Sequence, residues 1–331
     1  MSGLCSLESN ITTNSTEIIF LHKVATSNFI FAVTQILFIP FIVAGNVLVI
    51  ASICVFRRLQ NLTNGFLVSL AVSDLIVAFI TIPLYAAFYL NPTVLLCDRS
   101  ACLAWFGSVI LGCGTSLFNL LVIVLDRFLA IHFPFSFVKY RTPRNVAVVL
   151  VILWLYVMIL SFLPLMGWNH WETGKPCNFY ATLPKAYVIL SAYLTVGVCT
   201  TASCALYTKI FMMVCEHKRK IHAQNAAGGT ENKWLEREVK STRLMATVFL
   251  LFVLFWLPYF CVGPLKYSSL SQEVVEIIKN ATLVLAFGNS MVNPFVYCLL
   301  RKKFRAAFRL LVTTPVHRWS DLTRNILVRE D

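Results

Sequence analysis

Seven stretches of almost uninterrupted apolar residues dominate this sequence, and polar segments separate them. Each stretch is long enough to cross a bilayer, which takes about 20 apolar residues in helical form. Because the connecting segments are short, helices that are neighbours in sequence are expected to be neighbours in space. The stretches are Phe29–Phe56, Phe66–Leu90, Cys102–Ile131, Val146–Met166, Ala186–Val214, Thr242–Val262 and Val274–Leu300.

The pattern predicts an all-α membrane protein, a seven-transmembrane helix bundle without an internal repeat or a second domain. It divides the chain into a polar amino-terminal segment (residues 1–28), the bundle (residues 29–300) and a basic tail (residues 301–331). Residues 1–28 lack the basic start and short apolar core of a cleaved signal peptide. The first span is therefore expected to act as its own uncleaved insertion signal.

The composition supports lipid as the solvent of this chain. Of its 331 residues, 58% are hydrophobic and only 13% are charged, whereas soluble domains carry about 25% charged residues. The net charge of +13 would favour nucleic acid as the partner of a soluble protein. In a membrane protein it suits an anionic cytoplasmic leaflet, so the lipid bilayer is the predicted partner and nucleic acid is not.

The distribution of Lys and Arg predicts the orientation. Six of these 28 residues lie on one side of the predicted spans and 22 on the other, and positive residues accumulate in cytoplasmic loops. A multi-pass plasma-membrane protein with an extracellular amino terminus is therefore expected. Glycosylation sequons at Asn10 and Asn14 fall in the outer segment, and a third, at Asn280, is placed just outside span seven.

Few ionisable side chains fall at membrane depth, where an unpaired charge costs several kcal/mol. Asp74 lies in the middle of the second span and must hold a proton, a cation or a partner. Asp126 and Arg127 lie at the cytoplasmic end of the third span, and Glu238 lies near the cytoplasmic start of the sixth. These last three are either interfacial charges or a breakable contact that latches a two-state switch.

Among the prolines in the long apolar stretches, Pro258 and Pro294 each lie close to an aromatic residue. Pro258 follows Trp256 by two residues, and Pro294 precedes Tyr297 by three. Each proline removes one backbone donor and kinks a helix. Kinks alone are ordinary in membrane helices, so the prolines become informative only together with the other motifs.

One motif in each span, in matching order, resembles the rhodopsin-like (class A) family of G-protein-coupled receptors, from about Gly45 to Leu311. The motifs are Gly45-Asn46-x-Leu48-Val49, Leu70-Ala71-x-x-Asp74, Asp126-Arg127-Phe128, Trp154, Tyr207, Phe252-x-x-x-Trp256-x-Pro258 and Asn293-Pro294-x-x-Tyr297. Beyond span seven, Lys302-Lys303-Phe304 resembles the start of the family's short amphipathic surface helix. The resemblance implies a receptor rather than an enzyme, with an extracellular small-molecule ligand, a heterotrimeric G protein and arrestin as partners.

The resemblance also implies two sites in the outer and middle parts of the bundle. The family's disulfide corresponds to Cys102 and Cys177, which both fall on the predicted oxidising side. Its sodium pocket corresponds to Asp74, Ser116, Asn289, Ser290 and Asn293. A sodium ion is thus expected as an allosteric ligand that explains the charge of Asp74, and no other cofactor is expected.

The family's activation switch implies roles for nine residues. They are Asp126, Arg127, Glu238, Tyr207, Phe252, Trp256, Pro258, Pro294 and Tyr297. On activation Arg127 would leave Asp126 and Glu238, and the two tyrosines would swing inward. Arg127 would then contact the G protein, together with Pro134 and Phe135 of the second inner loop. Cys199 stands where span five usually carries proline. The packing of Phe252 against spans three and five is therefore undetermined from the sequence.

Helical spacing and the family alignment place an aromatic and aliphatic ligand pocket at the outer side. It comprises Trp105, Phe106, Val109, Ile110, Cys113, Phe179, Ser191, Thr195, Trp256, Tyr259, Phe260, Leu283 and Phe287. Val109 occupies the place of the aspartate of amine receptors, and Phe287 occupies that of the retinal-binding lysine of opsins. Such a pocket suits a small, largely neutral ligand.

Within the family, the chain most resembles adenosine receptors and their melanocortin, lysophospholipid and cannabinoid relatives. Phe179 matches the phenylalanine that stacks on adenine. The purine-anchoring asparagine, however, is Gly263 here, the acid beside Phe179 is Tyr180, and the span-seven histidine is Phe287. The framework is that of an adenosine receptor, but the main hydrogen bonds to a nucleoside are missing.

Three alternatives stay open at this point. A transporter would carry several ionisable residues along a path or paired broken helices, and an intramembrane enzyme would need a nucleophile with a base or a metal cluster. An orphan receptor of the same fold with high constitutive activity would differ only in its basal output. The sequence leaves undetermined the agonist, the G-protein subtype, the oligomeric state and a pairing of Cys5 with Cys97.

Overall fold

Long helices account for nearly all of the structure. The computed structural model describes residues 15–90, 98–172, 177, 179–225, 233–262 and 270–319. In these residues no β-strand occurs, and seven helices are long and apolar enough to cross a membrane. The spans, numbered one to seven, are Thr26–Val55, Leu62–Phe88, Arg99–His132, Pro143–Phe162, Lys185–Glu216, Thr242–Phe260 and Val274–Leu300. The predicted seven-helix bundle is thereby confirmed.

Several helices continue beyond the apolar stretches that predicted them. The first helix runs from Ser15 to Val55, so it begins inside the predicted amino-terminal segment. The fifth continues over Thr195–Asn225, the sixth covers Lys233–Phe260 and the seventh Gln272–Leu300. Apolar residues mark only the part of a helix that meets lipid, whereas its backbone hydrogen bonds can continue in polar surroundings.

Side-chain caps fix where four of the spans begin. Asn61 accepts a hydrogen bond from the Asn64 backbone amide at 2.9 Å, at the start of span two. Asp98, Thr142 and Ser271 cap the starts of spans three, four and seven in the same way. Each cap satisfies a backbone N–H that the first helical turn leaves unpaired.

Span three packs against spans two, four, five and six. Glycines permit this close approach: a Cβ at Gly107 would lie 2.6 Å from the Ser161 carbonyl oxygen of span four, and one at Gly112 would lie 2.6 Å from Val77 of span two. Spans two and five each contain a π-helical segment, Val77–Thr81 and Ile189–Leu194. Such wide turns change the direction of the side chains that follow.

A short helix, Lys302–Thr313, follows span seven directly. Its buried residues Phe304, Ala307 and Leu311 share one face, while Lys302 and Lys303 are exposed. This separation of apolar and basic residues confirms the predicted amphipathic C-terminal helix.

Candidate functional site

A buried polar cluster surrounds Asp74 in the middle of the bundle, and Asp74 itself is fully buried. The Asn293 amide donates a hydrogen bond to Asp74 Oδ2 at 2.9 Å, which joins spans two and seven. The hydroxyls of Ser73 and Ser116 are 3.0 Å apart, which joins spans two and three. Spans two, three and seven therefore meet at this polar cluster.

Two oxygen atoms of this cluster have no hydrogen-bond donor in the described part of the chain. They are Asp74 Oδ1 and Asn289 Oδ1, and both atoms are buried. A buried acceptor without a donor requires an explanation such as a water or an ion. Carboxylate and amide oxygens are hard ligands, so the chemistry of this donor set fits a small hard cation such as sodium.

A second cluster, made of charged residues, lies near the carboxyl end of span three. Asp126 and Arg127 are 6% and 3% exposed, and they form an ion pair. Arg127 Nε donates to Asp126 Oδ2 at 3.1 Å. Thr63, from span two, donates its hydroxyl proton to the same oxygen at 3.2 Å.

Arg141 completes this cluster from the connection between spans three and four. Its Nε donates to Asp126 Oδ1 at 2.8 Å and its Nη2 donates to Asp126 Oδ2 at 3.0 Å. Its guanidinium also lies 6.0 Å from the centre of the Phe137 ring. Asp126 is thus shared between two arginines, each of which donates charge-assisted hydrogen bonds.

Neither Arg141 nor Thr63 was predicted from the sequence as part of this cluster. No spacing rule relates Arg141 to Asp126, because the short helix Pro134–Tyr140 folds the chain back before span four begins. For Thr63, the one feature of the sequence that could have indicated a role was its polar side chain near the start of a span. The Glu238, Pro134 and Phe135 side chains lie outside the described residues, so their predicted roles in the switch and in G-protein contact stay predictions.

A chain of aromatic rings runs through the half of the bundle that contains the Cys102–Cys177 disulfide. Phe106 contacts Phe179 at a centroid distance of 5.3 Å and Trp105 at 5.1 Å. Tyr85 lies 6.1 Å from both Trp105 and Phe287. Phe287 lies 6.3 Å from Trp256, which stacks on Phe252 at 6.0 Å. Tyr85, from span two, is a member of this chain that the sequence analysis did not include.

The polar groups predicted in the ligand pocket are few. Ser191 donates its hydroxyl proton to the Tyr187 carbonyl at 2.8 Å, and Thr195 donates to the Leu190 carbonyl at 2.7 Å. Both hydroxyls can therefore only accept from a ligand. Trp105 Nε1 is buried without an acceptor among the described residues, so it is a donor that a ligand in this group could use.

The other predicted pocket residues are apolar or lie at the ends of the ring chain. Leu283 is buried, and the side chains of Val109, Ile110, Cys113, Tyr259 and Phe260 are half-buried. Tyr259 and Phe260 each contact Trp256, with centroid distances of 6.2 and 6.0 Å. The predicted residues thus form a mainly aromatic surface, and its role as the ligand site stays a prediction.

The predicted disulfide between Cys102 and Cys177 is confirmed, with a Cα–Cα distance of 5.8 Å. It fixes the loop that carries Phe179 onto span three. The sequons at Asn10 and Asn14 lie outside the described residues. The placement of Asn280 just outside span seven is wrong: this residue is buried within the helix, where it donates to the Asn28 side chain of span one at 2.7 Å.

Both tyrosines of the predicted switch have buried hydroxyls without a hydrogen-bond partner among the described residues. The Tyr207 ring packs on Phe249 at 5.4 Å, and the Tyr297 ring packs on Phe304 at 5.8 Å. Pro258 and Pro294 lie inside their helices, as predicted. Cys199 is buried in the same core as Phe252, so the loss of proline leaves Phe252 packed in the interior.

Comparison with known proteins places this architecture in a family. The pattern of the "7 transmembrane receptor (rhodopsin family)" matches residues 45–297. The histamine H2 receptor of Canis lupus familiaris is 31% identical over 277 residues, which cover 81% of this chain and 75% of the relative. The corresponding receptor of Cavia porcellus is 32% identical over 286 residues, or 85% and 78% of the two chains. The adenosine receptor A2b of Gallus gallus is 27% identical over 305 residues, or 85% and 88%.

The chain therefore belongs to the rhodopsin family of seven-transmembrane receptors, which act through G proteins. It is a multi-pass membrane receptor with a small-molecule ligand and a G protein as partners, and not an enzyme. This membership favours the receptor over the transporter considered from the sequence.

Proposed function

We propose that this receptor responds to a small, largely neutral ligand that binds on the extracellular side, against the aromatic chain between Phe179 and Trp256. The observation that carries this proposal is the ring-to-ring contact from the disulfide-linked loop to Trp256. Aromatic walls with a few polar groups suit a mainly apolar ligand. Tyr85, Trp105 and Phe287 would transmit its contact to Trp256.

The relatives are named for histamine and adenosine, but neither ligand fits the side chains of this chain. Val109 is half-buried and apolar where amine receptors carry aspartate, so an ammonium would lack a counter-charge. Phe287, in place of the histidine of adenosine receptors, offers no hydrogen bond to a nucleoside. A neutral ligand that accepts one hydrogen bond from Trp105 is the better match.

For signalling we propose a two-state equilibrium. In the resting state Asp126 holds Arg127 at the cytoplasmic end of span three. The ion pair between these two buried residues supports this step. Agonist would press on Trp256, span six would swing about Pro258, and Arg127 would be released toward the G protein. An agonist can shift this equilibrium only by the difference between its affinities for the two states.

Sodium is proposed as an allosteric ligand at Asp74, together with Ser116, Asn289, Ser290 and Asn293. The unpartnered Asp74 Oδ1 and Asn289 Oδ1 support this assignment. A bound cation would supply positive charge that stabilises the buried carboxylate in the resting state. Asp74→Asn is expected to abolish the negative effect of sodium on agonist binding, measured as agonist affinity in sodium against potassium buffer. Retained sodium sensitivity would remove the assignment.

The predicted contact of Glu238 with Arg127 gives a direct test of the latch. Glu238→Ala removes an anionic partner of Arg127, so basal G-protein activation is expected to rise at equal surface expression. The measurement is basal nucleotide exchange on the G protein, with Glu236→Ala as a matched control two residues away. Basal exchange that is unchanged or lower in Glu238→Ala would contradict the latch.

The ligand itself can be identified by a screen of neutral small molecules, lipids and nucleosides against a promiscuous G-protein reporter. Activation by neutral compounds that is lost in Trp105→Phe, but retained in Trp154→Phe, is the expected result. High basal output with no response to any compound would instead favour a constitutively active receptor. Binding of arrestin to the activated receptor is part of the same proposal.

A further inference from the structure

A crevice of about 290 Å³ lies between spans five and six. Span five contributes Tyr193, Gly197 and Thr201, and span six contributes Phe252, Trp256 and Phe260. Its volume is just below the about 300–1,000 Å³ that small-molecule sites occupy. The crevice thus reaches Trp256 from between spans five and six, whereas the ring chain from Phe179 reaches it through Phe287 of span seven.

The mouth of the crevice opens onto the membrane. Leu257 lines the crevice, and its side chain is more than half exposed, as are those of Leu194 and Val198 on span five and Leu254 on span six. Both helices are apolar spans at this level, so the exposed leucine and valine side chains face lipid. The opening is thus continuous with the lipid-facing surface of the receptor.

The walls offer a ligand almost no polar contact. Gly197 has no side chain, and a Cβ built there would meet no atom within 4 Å. The hydroxyl of Thr201 already donates to the Gly197 carbonyl at 2.7 Å. The rings of Trp256 and Phe252, which also line the crevice, are buried. A charged or hydrogen-bonding ligand would lose its hydration here without compensation.

We propose that this crevice binds the hydrocarbon chain of a membrane lipid, which reaches it from the bilayer and contacts Trp256. A single chain suits the small volume, the apolar walls and the lipid-facing mouth. The hydrocarbon chain would reach Trp256 from between spans five and six, whereas the ring chain of the proposed extracellular site reaches it through Phe287 of span seven, so two ligands could act on the same side chain. The binding itself is independent of the proposed function, whereas any effect on signalling rests on it.

The test uses the full-length receptor in phosphatidylcholine nanodiscs and a palmitic acid probe that carries a photoreactive diazirine near its chain end. After illumination, the labelled peptides are identified by mass spectrometry. We expect saturable labelling of residues 193–201 and 252–260 that excess unlabelled palmitic acid displaces. Gly197→Leu places a large side chain in the wall of the crevice, at a position where an added Cβ meets no atom within 4 Å, and should abolish the saturable labelling. Val198→Leu, the neighbouring lipid-facing change, should leave it intact.

Several outcomes overturn the proposal. Labelling that is not saturable, or that persists unchanged in Gly197→Leu, would show only ordinary contact with surrounding lipid. Displacement of the probe by cholesterol at lower concentration than by palmitic acid would assign the crevice to a sterol. The melting temperature of each variant verifies folding, and Gly197→Ala should reduce labelling only partly. Because labelling requires no G protein, a failure of the proposed signalling function leaves this result interpretable.

Discussion

At the scale of single residues, the two buried carboxylates of this receptor differ in their partners. Asp74 accepts from an amide and keeps one oxygen without a donor in the described part of the chain. Asp126 accepts from two guanidinium groups, Arg127 and Arg141. The first arrangement suits a cation, whereas in the second a negative charge is shared between competing cations.

This sharing determines what the release of Arg127 requires. Since Arg141 contacts both oxygens of Asp126, the carboxylate keeps a partner when Arg127 leaves. In Arg141→Ala, the release of Arg127 would leave this mostly buried carboxylate with the Thr63 hydroxyl but without a cationic partner, which is strongly unfavourable. We expect a penalty of about 1–2 kcal/mol on activation, or an equilibrium about 5–30-fold less favourable. The measurement is agonist-stimulated nucleotide exchange on the G protein, with basal exchange lowered in parallel.

Two further variants test this interpretation. Arg141→Lys keeps the charge but loses the bidentate contact, so its exchange rate should fall between those of the parent and Arg141→Ala. Arg144→Ala removes an exposed charge three residues away and should change nothing. Higher basal exchange in Arg141→Ala would mean that Arg141 holds the resting state instead.

At the scale of helices, small residues determine how closely the spans pack. In lipid, helices associate largely through close packing, and glycine permits their backbones to approach. Gly107 approaches the backbone of span four at Ser161, whereas Gly197 faces open space. The same residue type therefore has opposite roles on spans three and five.

A pair of alanine substitutions separates these roles. Gly107→Ala places a methyl group against the Ser161 carbonyl, so spans three and four must move apart, at a cost of about 1–3 kcal/mol. Gly197→Ala meets no neighbour, and the higher helix propensity of alanine should stabilise the receptor by up to about 1 kcal/mol. Thermal unfolding of the purified receptor should show a lower melting temperature for Gly107→Ala only. Equal effects of the two substitutions would contradict the packing argument.

At the scale of the whole molecule, the distribution of Lys and Arg predicts an extracellular amino terminus. Glycosylation can test this orientation, because the modifying enzymes act only on the outer side. Asn10→Gln and Asn14→Gln should each increase the electrophoretic mobility of the receptor, and glycosidase treatment should remove the difference. Asn280→Gln should leave the mobility unchanged, since Asn280 is buried and bonded to Asn28. An antibody against the tail beyond Arg301 that binds intact cells would contradict the orientation.

The sequence alone determined the number and approximate limits of the spans, because a bilayer requires about 20 apolar residues for each crossing. It also identified Asp74, Asp126 and Arg127, because charged groups at such depth are rare. The disulfide partners Cys102 and Cys177 were reached only through the resemblance to a family, and the structure confirms them.

Tertiary structure alone decided which side chains meet. Arg141 reaches Asp126 through a fold of the chain between two spans, and Tyr85 joins the ring chain from span two. Asn280 is buried because the seventh helix begins at Gln272 and packs against span one. Periodicity within one helix carries no information about the rotation of a neighbouring helix. For this reason the crevice at Gly197 and the shared Asp126 become visible only in the assembled bundle.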